Sequence, residues 1–353
     1  MDAFTYSDVN LLKREILFYT RFYQMVSEPC GLKIPDIYLT AIEGRSDALS
    51  QALFVMFKRK ERVKGAILME DLSSGHNLDP VEISTKETLT RLCTEIGRLY
   101  GYTARTLILN RGRIGEGIKP PKALTYKMCL MTSGVAKMIK QRWTPTSGFV
   151  QRVVDRWGDS DYAMLKQDPE CLEALLALER HFRPKVYKLH KTLAEYFCIL
   201  HGDFHAGNFM MMPSGDVKVF DMQMFGAGHP AEELCYFLTS NVDPTDASDE
   251  VALKMVHTAM ETASQGVAKY AYEDLKRDVD ICTLHYVAAN IVRRAVFETP
   301  ESLERLKQNL GHIMDGLLRV LRVREARLLL RLKNIWKRDP TFALLPPPKV
   351  LRL

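Results

Sequence analysis

Apolar side chains recur at spacings of three and four across residues 9–26, with Leu12, Ile16, Tyr19 and Tyr23 on one stripe. That period predicts an amphipathic helix, and Glu28-Pro29 followed by Gly31 predicts its end. Short apolar runs at Ile37–Ile42, residues 52–57 and Gly65–Met69, the first two separated by the turn-rich GRSDALSQ, predict three strands. The helical period returns over residues 85–100, where Leu89, Leu92, Ile96 and Leu99 share a face. Residues 105–122 are rich in Gly, Pro and Arg and predict a loop. A long helical pattern spans residues 169–197, with Pro184 expected to kink or divide it. The period then changes abruptly to short strands at Cys198–Leu200, residues 209–212 and residues 217–220. Helix resumes over residues 247–338, broken near Thr299-Pro300, before a Pro-rich tail that predicts extended chain. The order of elements is that of an α+β protein in two parts, a small unit with strands and a larger, mainly helical one.

Composition narrows the class. A 353-residue chain is long for one core and suits two lobes. Hydrophobic residues at 46% and charged residues at 26% are ordinary for a globular protein, which argues against extensive disorder. No apolar run approaches the ~20 residues that span a bilayer, and MDAFTYSDVN carries no secretory pattern. The seven cysteines are scattered without a CxxC pair, which predicts reduced thiols in a cytoplasmic setting and no structural zinc. Net charge is +6, but the segment from Ile313 onward carries ten Lys/Arg against three Asp/Glu. The rest is close to neutral, so no nucleic-acid partner is expected.

Candidate chemistry lies in Leu200-His201-Gly202-Asp203-Phe204-His205-Ala206-Gly207-Asn208 and in Asp216-Val217-Lys218-Val219-Phe220-Asp221-Met222-Gln223. A loop bearing Asp203 and Asn208, a hairpin turning at Ser214-Gly215-Asp216 and a strand ending in Asp221 bring three oxygen-bearing side chains to one edge. Phosphoryl transfer needs such a set: a carboxylate to orient the attacking hydroxyl and accept its proton, and an amide oxygen with a second carboxylate to hold Mg²⁺ against nucleotide phosphates. His201 and His205 lie close together, yet no further ligands at zinc spacing accompany them, and the first is expected to brace the loop.

These residues resemble the aminoglycoside phosphotransferase and choline kinase group, whose catalytic loop reads H-G-D-x-x-x-x-N. Within it they look most like the CHK kinase-like and ecdysteroid-kinase-like families, whose metal motif reads D-F-Q. The resemblance implies a protein-kinase-like two-lobe fold, with residues 1–72 a partial N-terminal lobe, residues 73–338 a mainly helical catalytic lobe and residues 339–353 a tail. It further implies Asp203 as catalytic base and Asn208 and Asp221 as magnesium ligands, with Gln223 filling the last motif place and Met222 replacing its Phe. The segment from Gly228 to Leu234 resembles G-x-P-A-x-D-L, whose acidic residue props the catalytic loop; here it is Glu233, longer by one methylene and expected to be a looser support. Met69-Glu70-Asp71-Leu72 resembles the hinge, making Glu70, Asp71 and Leu72 the ATP-binding candidates through their backbone. Glu15 resembles the helix glutamate that pairs with the ATP-binding lysine.

The implied activity is ATP- and Mg²⁺-dependent transfer of a phosphoryl group to the hydroxyl of a small-molecule alcohol. One part of the resembled pattern is missing: only fourteen residues precede Glu15, with neither a glycine nor a strand pattern. Lys13 faces away from Glu15 on the same helix, and Lys58 and Lys60 follow that helix in chain order. An incomplete N-terminus is the expectation, with a catalytically impaired pseudokinase or scaffold as the alternative; without its lysine, Glu15 is expected to be solvated. In the helix of residues 316–338, leucines at 317, 318, 321, 328 and 332 alternate with arginines at 319, 322, 327 and 331. Such a helix can lie on an anionic membrane; the expectation is that its leucines pack on the body and its arginines face water.

Overall fold

The computed structural model describes residues 14–42, 65–112, 148–156, 168–181, 189, 192–296, 304, 308 and 312–338. The first helix, α1 (Phe18–Ser27), is wound as a π-helix and continues through a turn at Glu28–Cys30. Gly31 ends it with φ +79°. Of the predicted stripe, Ile16 and Tyr19 are buried, Tyr23 is half-buried and Leu12 lies outside the described residues; Phe18, Phe22 and Val26 are buried beside them. Strands β1 (Ile37–Ile42) and β2 (Gly65–Met69) pair antiparallel, with Ile37 opposite Met69 and Ile42 opposite Gly65. The strand expected at residues 52–57, the start of the first helix, Lys13, Lys58, Lys60 and the Pro-rich tail lie outside the described residues.

After β3 (His76–Asn77) comes α2 (Lys86–Leu109), capped by the Thr85 hydroxyl, which accepts from the Thr88 N–H at 3.3 Å. It runs past Tyr100 into the segment expected to be loop. The reason is tertiary. A Cβ on Gly97 would stand 2.6 Å from the Val256 carbonyl and one on Gly101 2.1 Å from that of Met260. Glycine, which weakens a helix interior by about 1 kcal/mol, here lets another helix approach closely.

Helices α3 (Phe149–Arg156) and α4 (Pro169–His181) follow. Pro184, expected to kink or divide the next helical stretch, lies outside the described residues. The expectation of helix to residue 197 fails, since residues 193–197 run as bends and irregular chain. Their backbone is satisfied sideways: the Ala194 N–H donates to Asp278 Oδ2 at 2.9 Å, and His229 Nε2 donates to the Ala194 carbonyl at 3.1 Å.

Strands β4 (Cys198–Leu200), β5 (Phe209–Met211) and β6 (Val217–Val219) lie at the predicted positions, and β7 (Gly226–Gly228) was not expected. β3, β5 and β6 form one small sheet in that order, and β4 pairs antiparallel with β7. The helical remainder is α5 (Pro230–Asn241), α6 (Asp246–Ser264), α7 (Tyr272–Val296) and α8 (His312–Arg338). An unpredicted break parts α6 from α7, where Gln265 (φ +51°) and Gly266 (φ +75°) are left-handed in succession. The architecture is α+β: small sheets, a mainly helical C-terminal part, and one continuous core running from Phe18 to Ile335. No helix among the described residues is long and apolar enough to cross a membrane.

For α8 the leucine expectation holds, and the arginine one holds at Arg319 and Arg322, which are exposed, but not at Arg327 and Arg331. Leu318, Leu328 and Leu332 are buried. Arg327 donates to the carbonyls of Ser240 and Val81, Arg331 to Asp249 (2.7 Å) and the Val242 carbonyl (2.9 Å), and Arg319 to Asp79 (2.8 Å). Arg327 and Arg331 satisfy carbonyls left open at the C-terminus of α5, where the helix dipole also favours cations. Part of the basic charge that the sequence alone assigned to solvent, at Arg327 and Arg331, is spent inside the molecule.

Candidate active site

Strands β4 and β7 stand side by side, so the chain leaves the core at Leu200 and re-enters beside it at Gly226. Between them lie the loop 201–208, the β5–β6 hairpin and a tight turn after Asp221. The loop ends in a single 3₁₀ turn, Ala206–Asn208, and the hairpin closes through Gly215 (φ +82°). Gly202 has φ +91°, and a Cβ there would lie 2.2 Å from the Met224 carbonyl, so the loop and the turn touch through a residue without a side chain.

Loop geometry is imposed by three buried side chains. His201 uses both ring nitrogens: Nε2 donates to the Phe220 carbonyl at 2.9 Å, and Nδ1 accepts from the Asp203 N–H at 3.2 Å. Burial lowers its pKa to about 4, so it stays neutral and braces the loop as expected. Glu233, in the first turn of α5, accepts from the His201 N–H at 3.2 Å, from the Gly202 N–H and from the Tyr100 hydroxyl at 2.5 Å. Support by Glu233 is therefore not loose, because Tyr100 of α2 holds the longer side chain in position. At the other end of α5, Asn241 Oδ1 accepts from the Ala206 N–H at 2.8 Å, while its Nδ2 donates to the Glu82 carbonyl at 3.1 Å. Neither Tyr100 nor Asn241 stands out in the sequence.

Asp203, Asn208 and Asp221 come together. Asn208 is buried, and its Nδ2 donates to the Asp203 carbonyl at 2.7 Å, which leaves Oδ1 as an acceptor. Its backbone carbonyl accepts from the Phe220 N–H at 3.1 Å, tying the loop to the residue before Asp221. Burial works to raise the Asp203 carboxyl, but His205, His201 and the Tyr236 hydroxyl outweigh it and hold the pKa down at about 2. His205 Nε2 lies 3.6 Å from Asp203 Oδ2. Asp221 is half-buried in a left-handed conformation, φ +61° and ψ +52°. Desolvation and then the charge of Asp203 raise its pKa, and its carboxylate has no hydrogen-bond partner among the described residues. Two adjacent carboxylates, one of them unpartnered, beside a free amide oxygen make a hard-oxygen donor set suited to Mg²⁺.

Glu15 is not solvated. It accepts from the Tyr19 hydroxyl at 3.2 Å and from the Met222 N–H, and desolvation followed by the charge of Asp221 raises its pKa to about 7. It thus holds the turn directly after Asp221, while Phe18 and Phe22 of α1 pack on Phe225 at 5.1 Å. At the expected hinge, the Glu70 N–H donates to the Asp36 carbonyl at 2.7 Å and its carboxylate pairs with Lys218 of β6. Asp71 caps Ser73 at 2.9 Å, and the Leu72 carbonyl accepts from the Gly75 N–H at 2.8 Å.

The phosphotransferase enzyme family (APH) matches residues 82–262, a span that starts before α2, takes in the 201–208 loop and ends in α6. Among solved structures, a choline/ethanolamine kinase family protein from Mesorhizobium loti aligns at 11% identity over 86% of this chain and 80% of its own, with a TM-score of 0.38. An aminoglycoside phosphotransferase from Alicyclobacillus acidocaldarius aligns at 11% identity over 94% and 84%, with a TM-score of 0.44. No curated protein matches.

Proposed function

The chain belongs to the phosphotransferase enzyme family, and from that premise we propose that it transfers the γ-phosphoryl group of ATP to a hydroxyl of a small-molecule alcohol. The observation that carries this reading is the convergence of an ionised, braced Asp203 with Asn208 and an unpartnered Asp221.

Asp203 takes the acceptor hydroxyl as a hydrogen-bond donor and points its oxygen at the phosphorus. A carboxylate with a pKa of about 2 is a weak base. It therefore orients first and receives the proton late, as the new O–P bond forms and the bond to the leaving phosphate breaks, in keeping with a loose transition state. Asn208 Oδ1 and the Asp221 carboxylate are the ligands offered to Mg²⁺, which when bound neutralises charge on the nucleotide phosphates. The backbone of residues 70–72 is the candidate adenine contact. Glu15 keeps the turn after Asp221 in position through the Met222 N–H.

Thermal unfolding with and without Mg-ATP tests the nucleotide half of the reading, because a ligand bound only by the folded state raises the midpoint by mass action. A phosphate-release and transfer screen over amino alcohols, sterols and aminocyclitols tests the other half. A midpoint unmoved by millimolar Mg-ATP, together with no transfer, removes the proposal and favours a binding or scaffold role.

A further inference from the structure

Past their crossing, α2 and α6 leave a space between them. They meet where Gly97 and Gly101 face the carbonyls of Val256 and Met260. Helix α6 then ends at Ser264, and the chain turns off through the left-handed Gln265 and Gly266. A cleft of about 410 Å³ opens there, bounded by α2, the end of α6 and the turn that follows α1. From α2 it is lined by Arg98, Tyr102 and Arg105, whose spacing of four and then three residues puts them on one face. Pro29, Ala263 and Gln265 contribute from the other walls. Tyr100, which donates to Glu233, lies on the opposite side of the same helix. No residue of the cleft therefore belongs to the candidate active site.

The charge of this cleft has one sign. Among the described residues its lining holds two guanidinium groups and no carboxylate. Arg98 is half-exposed and reaches Glu95 of its own helix at 3.4 Å. Arg105 pairs with no carboxylate among the described residues, and its Nε is shut off from solvent without a hydrogen-bond partner. A helix end such as that of α6 offers open carbonyls to a cation, yet Arg105 Nε takes none of them. A donor left in that state is costly unless something outside the chain accepts from it.

We propose that this cleft binds a small organic oxyanion, a phosphate monoester or a carboxylate with an apolar body, whose oxygens pair with Arg105 and whose body lies against Tyr102 and Ala263. The planar fork of a guanidinium matches either anion with two parallel hydrogen bonds. The volume is in the range of small-molecule sites, which combine a mainly apolar wall with a few placed polar groups. The inference does not rest on the proposed function.

Isothermal titration of the full-length chain with phenyl phosphate, benzoate and, as the neutral control, phenol decides the matter. At least one of the two anions binds, and phenol does not. Arg105→Met weakens that binding by roughly 10–100-fold, as expected for loss of a hydrogen bond to a charged group. Arg105→Lys, which keeps the charge but not the fork, falls between. Ala263→Trp fills the cleft without removing charge and also abolishes binding. No binding at millimolar concentration, phenol binding as tightly as the anions, or binding that Arg105→Met and Ala263→Trp leave untouched overturns the proposal. A second arm needs no ligand: Arg105→Met should leave the unfolding midpoint of the unliganded chain equal or higher, because an unpaired, partly desolvated cation is removed. A lower midpoint would give Arg105 a structural partner within the fold and overturn the proposal. A chain that transfers no phosphate removes the proposed function and leaves both arms intact.

Discussion

The loop 201–208 and the hinge 70–72, both brought to the nucleotide by the proposed function, are built in opposite ways. Loop amides at 201, 202, 203 and 206 donate to side chains that are themselves buried and drawn from the two ends of α5 and from the loop, namely Glu233, Asn241 and His201. The hinge is held by a neighbouring strand end, a local turn and the partly exposed Glu70–Lys218 pair. Where a carboxylate must be aimed, the fold over-determines the backbone. Where backbone is to meet a flat base, short-range contacts suffice. Side-chain changes should therefore be costly at the loop and forgiving at the hinge.

Predictions that stress this contrast run from large to small. Asp203→Ala removes orientation and proton acceptance together, and transfer should fall by about 10²–10⁴-fold with an unchanged far-ultraviolet circular dichroism spectrum; retained turnover would reject it as the base. Asp221→Ala should cancel the Mg²⁺-dependent part of the Mg-ATP thermal shift while leaving the apo midpoint equal or higher, since a half-buried unpartnered carboxylate is removed. Glu233→Ala strands two loop amides and the Tyr100 hydroxyl. It should cost roughly 2–5 kcal/mol in denaturant unfolding, with Glu233→Gln losing less. Lys218→Met should change stability by less than about 1 kcal/mol, as for other partly exposed pairs; a larger loss would mean the hinge is as constrained as the loop.

Acid–base behaviour separates the same regions. Burial raises Glu232 to about 8, helped by the charge of Glu233, and raises Glu233 to about 7, both from an ordinary 4.5. Stability from these groups is fully present below about 4.5 and is lost as pH rises through 7 and 8. Asp203 has the opposite sign: its contribution is present above 3.8 and is lost as pH falls toward 2. The unfolding midpoint should decline from pH 5.5 to 8.5, and Glu232→Gln should flatten that decline. A flat wild-type profile would contradict the raised values.

The chain's own spacing made the 198–221 region legible, because strand, loop, hairpin and strand follow at short range and leave little choice about where Asp203, Asn208 and Asp221 meet. Glu233 was readable for a similar reason, since it opens the next helix. Asn241 and Tyr100 were not. Helical periodicity says which face of α5 or α8 is apolar, but not which polar residue near a helix end will find a loop amide far away in sequence. Periodicity is equally silent on Gly97 and Gly101, which are where α6 fits. Arg327 and Arg331 of α8 read as solvated because sequence cannot reveal that the open carbonyls of α5 lie opposite them.

Because β4 and β7 are hydrogen-bonded neighbours, everything from His201 to Phe225 is a lariat tied at its neck. Opening that segment at its base therefore means breaking backbone hydrogen bonds between β4 and β7. The segment's ties to the N-terminal part are fewer: the Val219 N–H meets the Lys33 carbonyl and Lys218 pairs with Glu70, so movement between the two parts strains these contacts before it reaches the neck.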